Sequence, residues 1–98
     1  MSDKNESFHL VKGQFSPEEA REVLLALINS KIQFHELQIM RKKARGEGGI
    51  DVSLQRIESL EESREQILEL TSMYDSLGCE LELEAEVVLS LVIKKALV

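Results

Sequence analysis

A chain of 98 residues with 18 acidic and 12 basic side chains, a formal net charge of -6 and a single cysteine is excluded from several classes at once. One thiol cannot close an internal disulfide, and no CxxC pair or Cys/His grouping is spaced to hold zinc. The acidic balance argues against sequence-independent binding to phosphate backbones, while 43% hydrophobic residues make the chain too apolar to stay disordered.

Residues 1–7 (MSDKNES) are polar, hold no apolar stretch of signal-peptide length, so that export is not expected, and are expected to be disordered. The longest uncharged apolar run, residues 87–93, is far shorter than the roughly 20 residues a helix needs to cross a bilayer. A single-domain cytoplasmic protein with no membrane contact and no cofactor is the expectation.

Residues 8–15 (FHLVKGQF) read as a short strand, with Phe8 and Leu10 on one face and His9 and Val11 on the other. Gly13 marks a bend or bulge near its end. The pattern then changes abruptly at Ser16-Pro17-Glu18-Glu19, where serine caps, proline suits the first helical position and Glu19 stands three residues past the cap.

The spacing predicts a helix over 17–44 with two adjacent apolar lines. Leu27, Phe34 and Leu37 form one, and Leu24, Ile28, Ile32 and Ile39 the other, so the helix is able to face two neighbours. Arg41, Lys42, Lys43 and Arg45 gather at its end, where positive charge complements the dipole, before a glycine-rich turn over 46–51.

A second helix is predicted over 53–77, capped by Asp51 or Ser53, with Leu54, Ile57, Leu60, Ile67, Leu70, Tyr74 and Leu77 recurring at helical steps and Arg64 interrupting them. Glu58, Glu61, Glu62, Glu65 and Glu69 occupy the other face, and Gly78 sits where a left-handed cap belongs. From 80 to 93 the period drops to two, with Glu80, Glu82, Glu84 and Glu86 on one side and leucine, alanine and valine on the other, which predicts a strand.

The fold class is therefore α+β: a βααβ chain with a long antiparallel helix hairpin and a short antiparallel sheet, completed by a dimer partner. A two-stranded ribbon is marginal alone, and a first strand of about eight residues would leave part of the second unpaired. That overhang, Val87, Val88, Leu89, Leu91, Val92 and Ile93, is the expected oligomer interface, with Glu86, Lys94 and Lys95 as flanking charges. Two hairpins packed as four helices would in turn bury the second apolar line.

Sites of chemistry are sparse. His35-Glu36 begins like a zinc-protease motif, but Ile39 stands where the second histidine belongs. The glutamate row is how a solvated strand face looks, and Cys79 has glutamate rather than cationic neighbours. Two polar groupings remain: Asn29, Lys31 and His35 interrupting the first helix, and the basic patch Arg41, Lys42, Lys43 and Arg45 as a contact for nucleic acid.

The stretch SPEEAREVLLALINSKIQFH followed by SLQRIESLEESREQILEL resembles a family of small bacterial proteins of the Bacteroidetes type with the pattern FxPEEAxxxLLxLINSKIxFHxL. Phe15, Pro17, Glu18, Glu19, Ala20, Leu24, Leu25, Leu27, Ile28, Asn29, Ser30, Lys31, Ile32, Phe34, His35 and Leu37 match it. The resemblance implies the same hairpin with flanking strands over about residues 8–93 and implies no activity; the turn RKKARGEGGID departs from it. The function expected is a non-enzymatic homo-oligomeric interaction or structural protein, with weak nucleic-acid binding as the alternative.

Overall fold

The computed structural model describes residues 5–93 in the order β1 (Asn5–Phe15), α1 (Pro17–Ala44), α2 (Ile50–Leu77) and β2 (Leu81–Ser90). The two strands pair antiparallel as a two-stranded sheet. The chain divides into two compact units, a helix hairpin from Phe15 to Leu81 and a ribbon made of the strands on either side of it. Lys94 and Lys95, expected to guard the end of the last strand, lie outside the described residues, as do residues 1–4.

Helix α1 begins as its sequence dictates. The Ser16 hydroxyl accepts the Glu19 amide at 3.1 Å, and the Glu19 carboxylate accepts the Ser16 amide at 3.0 Å. Two otherwise orphaned donors are thus satisfied reciprocally, and Pro17 follows the cap. The helix closes at Arg45, whose amide donates to the carbonyls of Arg41 and Lys42 while the Gly46 amide donates to that of Lys43, with basic residues in the last turn.

Helix α2 starts earlier than the sequence suggests. Gly49, at a φ of 81°, is its N-cap and makes no side-chain capping bond. Asp51 falls in the first turn, where its charge meets the helix dipole, and Ser53 is buried rather than capping. At the far end Gly78 adopts the left-handed conformation, φ 67°, and its amide bonds the Asp75 carbonyl.

The hairpin is a heptad seam. On α2 the residues Ser53, Ile57, Leu60, Arg64, Ile67, Thr71 and Tyr74, at alternating steps of four and three, are all buried or half-buried. Arg21, Leu25, Ile28, Ile32, His35, Ile39 and Lys42 do the same on α1. This is the spacing that keeps one stripe of a helix against a neighbour. The Arg21 Nε donates to Thr71 Oγ1 at 3.0 Å and fixes the register. Continued along the seam, that register sets Leu25 opposite Ile67, Ile28 opposite Arg64, Ile32 opposite Leu60, His35 opposite Ile57 and Ile39 opposite Ser53.

The strands differ from expectation in length. β1 begins at Asn5, so residues 5–7, expected to be disordered, extend the strand to 11 residues. β2 ends at Ser90 and is 10 residues long, short of the expected 80–93. A ladder is built from backbone groups, which polar Asn5, Glu6 and Ser7 supply as well as apolar residues do. With strands of nearly equal length, the unpaired overhang predicted from 87 onward shrinks to residues 91–93, which lie outside β2.

Candidate interaction surface

What one copy buries is small. Among the described residues the buried apolar ones are Pro17, Ala20 and Ile32, the buried polar ones are His35, Ser53 and Thr71, and no large side chain is fully enclosed. A helix pair offers only one stripe per helix to its partner, and here several seam positions are small or polar. The large apolar side chains have therefore gone elsewhere: Phe34 is 54% exposed, Met73 49%, Leu77 69% and Leu10 58%.

The helical positions just before each seam residue collect much of this surface. On α1 they are Ala20, Leu24, Leu27, Lys31, Phe34, Gln38 and Arg41; on α2 they are Val52, Arg56, Ser59, Ser63, Gln66, Leu70 and Met73. In an antiparallel pair these flanks of both helices lie on the same face of the hairpin. That face contains no carboxylate. The positions just after each seam residue, on the opposite face, carry Glu22, Glu36, Glu58, Glu61, Glu65 and Asp75 against the single cation Lys43. At the edge of the carboxylate-free face a hollow of about 420 Å³ is lined by Gln66, Leu70 and Met73 together with Glu69, which stands outside the flank positions.

The ribbon exposes a second apolar surface. Val88, Leu89, Leu91, Val92 and Ile93, all proposed in sequence as interface, are exposed, and Val87 is half-buried. Glu82, Glu84 and Glu86 are exposed while Leu83, Ala85 and Val87 are half-buried, which is the alternation of a strand with one wet face. His9 Nδ1 lies 3.7 Å from Glu84 Oε2 across the two strands, with both side chains about half exposed, a contact of little energetic weight.

The polar grouping in α1 does not form one site. His35 is buried in the seam, where it packs edge-on against Phe34 with ring centroids 5.4 Å apart and neither ring nitrogen finds a hydrogen-bond partner among the described residues. Asn29 accepts a 3.2 Å bond from the Arg64 guanidinium, and Lys31 is exposed. The residue that interrupts the apolar pattern of α2 is thus tied back to α1.

Of the basic patch, Arg41, Lys42 and Arg45 line a shallow hollow of about 150 Å³ with Gln38, and Lys43 does not. Arg45 is 3.6 Å from Glu47. Cys79 Sγ donates to the Tyr74 carbonyl at 3.4 Å and is half-buried. Among the described residues no three histidine, cysteine or acidic side chains come together as metal ligands, and no helix is long and apolar enough to cross a membrane.

Sequence reasoning missed Ser53 and Thr71 as seam residues and Leu70 and Met73 as flank residues. The signal was present in the alternating four-and-three step of α2, which runs unbroken through serine, arginine and threonine. An apolar-only reading skips those positions. Compared with protein-family models, curated proteins and solved structures, the chain matches none.

Proposed function

We propose that this protein works as a homo-oligomeric interaction or structural module, without catalytic chemistry of its own. The observation that carries the reading is the missing core: one copy fully encloses no large side chain among the described residues. Burying a leucine- or phenylalanine-sized side chain contributes about 1.5–3 kcal/mol, and domains of this size need most of that contribution to stay folded. A second copy supplies the cover that the first lacks. Static light scattering behind size exclusion tests it: a mass of twice 11.1 kDa or more is expected, and a monomer at micromolar concentration refutes it.

Weak nucleic-acid binding is a second reading, favoured by the convergence of Arg41, Lys42 and Arg45 on one hollow. Against it stand the helix C-terminus beneath these residues, whose dipole opposes anions, and the net charge of -6. A gel shift at low salt that is lost when Arg41, Lys42 and Lys43 are all changed to alanine would support this reading, and no shift would remove it.

A further inference from the structure

We infer that two copies join through the carboxylate-free face of the hairpin and lie antiparallel, the glycine turn of each beside the open end of the other. This rests on the homo-oligomer reading and adds to it the surface and the orientation.

Three observations carry it. The first is size: helices of 28 residues at 1.5 Å each make a face about 42 Å long, and two helices side by side are about 20 Å wide. The footprint, about 800 Å² on each copy, is that of an ordinary stable interface. The second is shape and polarity, since exposed Leu27, Phe34, Leu70 and Met73 lie on this face and the hollow at its edge, lined by Gln66, Glu69, Leu70 and Met73, is open to receive side chains.

The third is charge, and it fixes the direction. The cations of this face, Lys31, Arg41 and Arg56, lie at its middle and toward the turn, while its other half, around Leu24, Leu27, Leu70 and Met73, is neutral and bordered by Glu62 and Glu69. Two copies packed turn to turn would bring all six cations together, where like charges oppose association. Reversed, each basic half meets a neutral apolar half with carboxylates at its margin. The opposite face is unsuited to a second copy, because its six carboxylates would confront another six.

The test uses the full chain and its one cysteine. Cys79 follows α2 at the open end, and Gly48 lies in the turn with open space around it. In a Gly48→Cys variant the two thiols of one copy are separated by about the hairpin length of 42 Å, so a short bis-maleimide joins them only between copies. Cross-links from the introduced thiol to Cys79, read by mass spectrometry of the digested dimer, are expected. Links of the introduced thiol only to itself, or of Cys79 only to itself, in a protein of dimer mass would overturn the orientation and leave the homo-oligomer reading standing. A protein of monomer mass with no interchain link would overturn both. Phe34→Glu, at an exposed position, is expected to weaken the dimer about tenfold or more with helical content kept; unchanged association would remove this face from the interface.

Discussion

At position 35 the seam of α1 carries an imidazole where the neighbouring seam positions, Ile32 and Ile39, carry isoleucine. Both ring nitrogens are buried without partners among the described residues, and a buried unsatisfied polar group costs about 1–3 kcal/mol. His35→Leu keeps the volume and removes that cost, so urea unfolding at fixed protein concentration is expected to show stability raised by about 1 kcal/mol. A drop would mean that the imidazole makes a bond that stabilises the fold. Ser16→Ala removes one half of the capping box and strands the Glu19 amide; the same measurement should show a loss of about 1 kcal/mol. The two residues differ in legibility. Ser16 acts through partners three positions away, whereas the burial of His35 depends on which stripe of α1 meets α2, and two apolar lines competed for that place in the sequence.

Among the elements, α1 was legible from end to end. Its limits are chemical: a reciprocal cap with proline at one end, and basic residues followed by glycine at the other. The start of α2 was not, because Asp51 and Ser53 are both good capping residues and nothing local shows that Ser53 is needed in the seam. The strands were legible in kind through their period of two and misjudged in length, since backbone pairing recruits Asn5, Glu6 and Ser7 regardless of their polarity. The end of β2 leaves Val88 and Leu89 exposed. Val88→Glu, which extends the exposed row of Glu82, Glu84 and Glu86 by one step, is expected to lower the sedimentation mass at a given concentration if the strands also join copies, whereas Glu61→Gln on the acidic face should leave it unchanged.

For the whole molecule, the shortage of enclosed apolar volume is the dominant fact. A long hairpin maximises surface for its length, and the ribbon, two strands wide, adds no enclosed layer of its own. The distribution of charge then decides which surfaces can meet. Carboxylates crowd one face of the hairpin and one face of the ribbon, and of the large exposed apolar side chains of the hairpin more lie on the face without carboxylates (Leu27, Phe34, Val52, Leu70, Met73) than on the acidic one (Met40, Leu54). The sequence carried this division in its two periodicities, but the identity of the face without carboxylates depends on the antiparallel register that Arg21 and Thr71 fix.

If the folded unit is the assembly, stability and association are one equilibrium, and the thermal midpoint must depend on concentration. Unfolding followed by circular dichroism across a hundredfold range of protein concentration is therefore the most direct measurement. The midpoint should rise steadily with concentration. A midpoint that stays constant across that range would contradict the account, because it would show that a single copy holds itself together.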